Sequence, residues 1–220
     1  MDSERFAATR RDYRGQPLEE SQLVADPIEQ FQRWFDEVLA LDTLEPAAVA
    51  LATTDDGQPS LRFVLLRGVS AEGFDVYTNL ESRKSRELLA NPRAALAWYW
   101  PELDRQVRAV GAVTPVSEDV ADRYFATRPV GSQIGAWASP QSDPIPDRAV
   151  LEARINEACA RFGVADLDAR VGAVPRPPHW GGWRLHPVEM EFWQGRSNRL
   201  HDRFRYTRVG AGWERQRLAP

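Results

Sequence analysis

Hydrophobic positions along this 220-residue chain change their period several times. Residues 1–25 are polar and aperiodic, and are read as a flexible N-terminal segment ahead of a single domain over 26–220. Asp26-Pro27-Ile28-Glu29 then offers an N-cap, a proline at the first helical position and a glutamate at the third. Ile28, Phe31, Trp34, Phe35 and Leu39 keep helical spacing until Glu45-Pro46 ends the segment. The period next falls to two. Strands are predicted over 47–54, 60–67 and 74–79, separated by the turn signals Asp55-Asp56-Gly57 and Ala71-Glu72-Gly73. A short helix over 82–90 stops at Asn91-Pro92, and strands over 93–100 and 105–113 follow. Helical patterns occupy 118–127, 133–138 and 147–162, and a surface loop runs to Pro175-Arg176-Pro177-Pro178. Three strands remain: 183–194 with a break near Pro187, 199–209, and 212–218. Short strands joined mostly by hairpins, with helices clustered at intervals, imply a closed antiparallel barrel with helices outside it, an α+β and mainly β fold. No Gly-rich phosphate loop is present, which disfavours a Rossmann architecture.

Composition narrows the function classes. The 28 Lys and Arg against 32 Asp and Glu give a net charge of −4, so no global basic field gathers nucleic acid or an anionic membrane. Any anion site must be local. No apolar run exceeds residues 94–100, against the roughly 18 needed to span a bilayer, and the chain reads as cytosolic. The lone Cys159 reads as a small buried hydrophobe, and the dispersed His179, His186 and His201 make no metal-ligand pattern.

Several polar groups break the core pattern. On the strand predicted from 199, alternation puts Arg199, His201, Arg203 and Arg205 on one face, opposite Leu200, Phe204 and Tyr206. That face is either a solvated strand surface or a holder for an extended planar anion beside a titratable imidazole. On the preceding strand Trp193 shares a face with Glu189 and Glu191, where it can pack on a flat ring. Arg83 and Lys84 fall in the first turn of the helix after Ser82, where the helix dipole disfavours cations. Either a bound phosphate or the acidic neighbours Glu81 and Glu87 compensate. Arg62 and Arg67 bracket Phe63-Val64-Leu65-Leu66, as strand ends emerging into solvent or as ligand contacts. Gln106 points away from the core face of its strand and is free to hydrogen-bond a ligand. Tyr124 and Arg128 lie four apart with Ser132 just beyond, which suits either a second phosphate or a tyrosine covered by a snorkelling arginine.

Arg199-Leu200-His201-Asp202-Arg203 resembles the C-terminal signature of the pyridoxamine 5′-phosphate oxidases. The likeness continues through Arg62 to Arg67, Tyr77-Thr78-Asn79, Ser82-Arg83-Lys84, Arg105-Gln106-Val107, Arg128-Pro129, Ser132 to Trp137 and Gln141-Ser142. It implies a homodimeric split barrel with one FMN at each of two intersubunit sites. By that likeness Arg62, Arg83, Lys84 and Ser142 hold the FMN phosphate and ribityl region, within a cofactor set that includes Phe63, Val64, Leu65, Leu66 and Arg67. Gln106, Gln141, Trp193 and Arg203 surround the flavin ring, and Tyr77 and Thr78 add contacts. The substrate phosphate falls to Arg67, Tyr124, Arg128 and Ser132. Arg199 and His201 are the catalytic candidates facing the pyridine ring, with Leu200 beside them. Arg10 and Tyr13 resemble lid residues that exclude water. The implied reaction is FMN-dependent oxidation of pyridoxamine or pyridoxine 5′-phosphate to pyridoxal 5′-phosphate, with O2 as acceptor and hydrogen peroxide released. Two alternatives keep the fold: a flavin oxidase of phenazine biosynthesis, and a flavin- or vitamer-binding protein without turnover. The family often carries Lys at the position of Arg67, a change that keeps charge and alters phosphate geometry.

Overall fold

A computed structural model describes residues 12–169 and 174–220. Arg10, one of the two lid candidates, lies outside them. The first helix, α1 (Pro27–Leu39), starts as its sequence predicts: the Asp26 carboxylate accepts from the backbone N–H of Ile28 at 2.7 Å, and Pro27 occupies the first turn. Glu29 pairs with Arg33 one turn on, at 2.7 Å, and does not close a capping box. Its apolar stripe is buried, with Phe31 and Val38 at 0% exposure. Asp26→Ala is expected to destabilise the fold by about 1 kcal/mol, read as a shift in the urea midpoint. An unchanged midpoint would show that the cap contributes nothing.

The strands are β1 (Ala48–Thr53), β2 (Ser60–Ser70), β3 (Gly73–Asn79), β4 (Arg93–Trp100), β5 (Arg105–Pro115), β6 (Trp180–Gln194), β7 (Asp202–Val209) and β8 (Gly212–Leu218). They form one antiparallel sheet in the order β3-β2-β1-β4-β5-β6-β7-β8, and β3 also pairs with β6. That pairing closes β1 to β6 into a six-stranded barrel, and β7 and β8 continue the sheet past β6. Inward side chains fill the barrel: Val49, Leu96, Trp98, Val107, Ala109, Met190 and Phe192 are buried, with α1 sealing it through Phe31 against Phe74 and Trp98. The other helices are α2 (Arg83–Ala90), α3 (Glu118–Ala126), α4 (Val130–Ala138) and α5 (Arg148–Phe162). The α4–α5 pair has a small core of its own, which includes half-buried Cys159.

Four expectations need correction. β2 runs on past Arg67, and its pairing with β3 slips between Leu66 and Gly68, so Arg67 sits in a bulge that takes its side chain out of the regular alternation. The break expected near Pro187 is likewise a bulge inside a continuous β6, which puts Val188 into solvent. α3 stops at Ala126, so Tyr124 and Arg128 are not on one helical face. The last correction concerns the signature: Ser197–Arg199 is a 3-10 turn with Asn198 at φ 57° and Arg199 at φ 64°, and β7 begins only at Asp202. Left-handed backbone interrupts the pleat, so Arg199 and His201 do not share a strand face with Arg203.

Residues 12–25, expected to be flexible, run along this end of the sheet. Leu18 N–H donates to Asp202 at 3.1 Å, Tyr206 Oη donates to the Val24 carbonyl at 2.8 Å, and Leu18 and Leu23 are buried.

Candidate active site

A cleft of about 1070 Å³ opens between β2, β3 and the helices α2, α3 and α4. Its wall brings together most of the candidates: Arg62, Phe63, Val64, Leu65, Arg67, Tyr77, Thr78, Arg83, Lys84, Tyr124, Arg128, Ser132, Gln141 and Ser142. Leu66, named with them, points the other way and is buried in the barrel core. Trp180, buried at the start of β6, also lines the cleft. It stacks nearly parallel to Tyr77 (5.6 Å, 10°) and Tyr124 (6.0 Å, 16°), and the Arg128 guanidinium lies 4.7 Å above it. Burial, then the Asp75 charge, pushes the Tyr77 phenol up to about 12, so it is neutral at physiological pH.

Two groups of cations line this wall. Lys84 is buried, and among the described residues its ammonium donates only to neutral oxygens: Gln141 Oε1 at 2.7 Å, Thr78 Oγ1 at 3.0 Å and Ser82 Oγ at 3.3 Å. Burial, and next the nearby Arg62 charge, pulls its pKa down to about 8. Arg62 and Arg83 instead meet the buried carboxylate of Glu87, at 3.2 and 2.8 Å. Ser60 and Thr53 donate to the same carboxylate, and these hydrogen bonds outweigh burial to hold its pKa at about 2. In the second group Arg67 and Arg128 form no ion pair among the described residues, and Arg128 Nη1 is buried with no hydrogen-bond partner. Burial, with the Arg67 charge, holds the Arg128 pKa below its usual value. Unpaired cations in a concave site suit anionic ligands, and two groups suit two phosphates.

The remaining candidates gather elsewhere. Gln106, Trp193 and Arg203 are in register across β5, β6 and β7. Trp193, Tyr13 and His201 form a ring cluster, with centroids 5.3 Å apart from Tyr13 to each of the others and 4.6 Å from Trp193 to His201. Arg199 lies 6.0 Å from the Tyr13 ring. A Cβ on Gly195 would stand 2.8 Å from that ring, so a glycine is needed for Tyr13 to pack there. The Arg196 N–H donates to His201 Nδ1 at 3.1 Å, leaving Nε2 to carry the proton of the neutral imidazole. Burial, followed by the Arg199 and Arg203 charges, lowers the His201 pKa. Arg203 makes a two-pronged bond to buried Glu191, at 2.9 and 3.2 Å. Arg108 pairs with the same carboxylate, and together these bonds overcome burial to keep it ionised. None of Gln106, Trp193, Arg199, Leu200, His201 or Arg203 lines the cleft.

Models of two families match this chain: pyridoxamine 5′-phosphate oxidase over residues 35–161, and the pyridoxine 5′-phosphate oxidase C-terminal dimerisation region over 180–220. The chain belongs to the pyridoxamine 5′-phosphate oxidase family. A pyridoxine/pyridoxamine 5′-phosphate oxidase of Cupriavidus taiwanensis is 52% identical over 98% of this chain and 99% of its own, and one of Rubrobacter xylanophilus is 54% identical over 98% and 96%. Among solved structures, PhzG from Burkholderia lata, in complex with tetrahydrophenazine-1-carboxylic acid, superposes with a TM-score of 0.85 at 35% identity, covering 94% of this chain and 99% of that one. A pyridoxamine 5′-phosphate oxidase-related, FMN-binding protein of Nostoc punctiforme superposes at 0.69 with 17% identity, covering 90% and 100%, and confirms the split-barrel fold.

Within this family fold, two polar groups take parts that the sequence pattern did not assign. Glu87 could be seen there only as a neighbour of Arg83, because its other partners, at 53, 60 and 62, lie on distant strands. Glu191 was placed on the ring-facing side of its strand, but nothing in its spacing showed that it is buried between two arginines.

Proposed function

We propose that this chain is an FMN-dependent oxidase converting pyridoxamine and pyridoxine 5′-phosphates to pyridoxal 5′-phosphate, with O2 reduced to hydrogen peroxide. The observation that carries the reading is the pair of cation groups in one cleft, one around buried Lys84 and one at Arg67 and Arg128, in a family whose close relatives bear that activity in their names. The residues fit the cofactor: Lys84, with neutral partners only, would take the flavin phosphate together with Arg83 and Ser142, and Gln141 and Thr78 lie alongside. Bound FMN would supply two-electron redox chemistry. Arg67, Arg128, Tyr124 and Ser132 would anchor the substrate phosphate, fixing where the oxidised carbon sits. Arg199 would orient the pyridine, and His201, neutral and with its Nε2–H free of the Arg196 contact, would hydrogen-bond or exchange a proton with it. The segment carrying Tyr13 and Arg10 would cover the site.

The working unit in this reading is a homodimer. The outer face of β2, β1 and β4 is apolar where a solvated barrel face would be polar: Phe63, Ala50 and Ala97 are in register, as are Leu61, Ala52 and Ala95, and on β5 the two rows run on to Arg108 and Val110. Phe63 and Leu61 are 75% and 67% exposed. A groove of about 410 Å³ on this face holds both Phe63, from the cleft, and Gln106, from the Trp193 row. A second copy seated here would bury the face and bring its Gln106, Trp193 and Arg203 to the cleft of the first.

Purified protein with FMN and pyridoxamine 5′-phosphate in aerated buffer should form aldehyde and peroxide in equal amounts. A yellow protein that forms neither would be a binder without turnover. Arg199→Ala should cut kcat/KM by about a hundredfold or more with FMN occupancy nearly intact. Loss of flavin would place Arg199 on the other ligand. The PhzG likeness favours a second reading, oxidation of a phenazine precursor, which turnover of that substrate in preference to the phosphorylated vitamers would support.

A further inference from the structure

We propose that Glu87 is a positioning residue of the flavin-phosphate subsite, holding Arg62 and Arg83 in fixed places so that they and Lys84 form one preformed anion cradle. The proposal rests on the reading that this group of cations takes the FMN phosphate.

A carboxylate beside an anion site opposes the anion by charge alone, so its presence needs a reason. Glu87 is 3% exposed, and its two oxygens collect four donors from three elements: Thr53 of β1, Ser60 and Arg62 of β2, and Arg83 from the first turn of its own helix, α2. Arg62 itself donates further to the Leu51 carbonyl and to Thr53, so its guanidinium is fixed from both sides. Arg83 is the opposite case: its side chain is 62% exposed, and Glu87 is the carboxylate that restrains it. Three cations crowd this corner of the cleft, two of them on the first turn of a helix, where the dipole disfavours positive charge. Glu87, one turn on, offsets one of the three charges and leaves a net positive corner. Lys84, which does not hydrogen-bond to Glu87 and has neutral oxygens as partners, keeps its charge unpaired for the ligand. Donors already in place lose little freedom when the phosphate arrives.

The test is Glu87→Gln, which keeps the size and removes the charge, with FMN and riboflavin affinities read from flavin fluorescence on the flavin-free dimer. The expected result is FMN binding weakened by roughly tenfold or more, as for losing a charged hydrogen-bond partner, and riboflavin binding unchanged within about twofold. Tighter FMN binding at low salt, the outcome of charge alone, overturns the proposal, as does an equal loss for both flavins. If the Gln variant does not fold, Thr53→Val removes one donor to Glu87, and with it an acceptor of Arg62, at a residue that does not line the cleft. It should weaken FMN severalfold and spare riboflavin, and no change in FMN affinity overturns the positioning role. A wild-type protein that fails to distinguish FMN from riboflavin removes the phosphate-subsite reading itself. Discrimination by the wild type together with an unaffected Gln variant removes only the role of Glu87.

Discussion

Replacing Lys84 with methionine is expected to weaken FMN binding about a hundredfold and, at neutral pH, to raise the melting temperature of the flavin-free protein. Both effects come from one buried ammonium. Lys84 titrates near 8 instead of 10.5, chiefly because burial disfavours its charged form. A folded pKa below the unfolded one means that the unfolded chain holds the proton more tightly, so protonation costs the flavin-free fold stability. The cost is fully present below pH 8, shrinks as pH rises and is gone above 10.5. Methionine fills a similar volume without charge and escapes it, although Gln141 and Thr78 lose a donor. In the complex the phosphate is the missing partner, and losing a charge-assisted hydrogen bond of about 2–3 kcal/mol corresponds to the hundredfold. Flavin-fluorescence titration and thermal melts of the flavin-free protein at pH 7 read the two effects. In the wild type, FMN affinity should fall as pH rises through about 8. A variant that binds FMN normally would place the phosphate elsewhere.

The second large effect is recovery of activity by mixing two inactive proteins. Arg128 lies on the cleft wall and Arg199 in the ring cluster that does not reach it. If each site joins the cleft of one subunit to the ring cluster of the other, a heterodimer of Arg128→Ala with Arg199→Ala has one site carrying both lesions and one carrying neither. Random reassortment makes about half the dimers mixed, so activity should climb from background to about a quarter of wild type. Co-refolding the two variants, or co-expressing them with different affinity tags, gives the measurement. If both residues served one site within a subunit, every site would keep one lesion and mixing would restore nothing.

The sequence was legible where one physical signal dominates. Alternation located β4 at Arg93–Trp100 and β8 at Gly212–Leu218 to the residue, because β4 buries one face, β8 half-buries Trp213 and Arg215 on one side, and turn formers bound both. The start of α1 was legible because Asp26 and Pro27 act locally. The signature segment was misjudged in geometry: alternation carried the strand back to Arg199, whose left-handed backbone, shared with Asn198 before it, no period reveals. The Arg67 bulge is set by pairing with β3, which no local pattern encodes. Side-chain type gathered the candidates, but their division into a cleft set and a ring-cluster set follows from the closed topology, in which strands far apart in sequence become neighbours.

The strap formed by residues 12–25 has a kinetic consequence. Arg14 N–H donates to Asp104, 90 residues on, but the strap's other long-range anchors, Asp202, Tyr206, Arg215 and Arg217, stand 182 to 199 residues further along the chain. During synthesis the strap therefore leaves the ribosome well before β7 and β8, and it waits for them before these contacts can form. Contacts this distant in sequence form late and slowly. Tyr13 takes its place beside Trp193 and His201 only once both of those residues are made, so nascent chains with an otherwise closed barrel would still lack an ordered ring cluster.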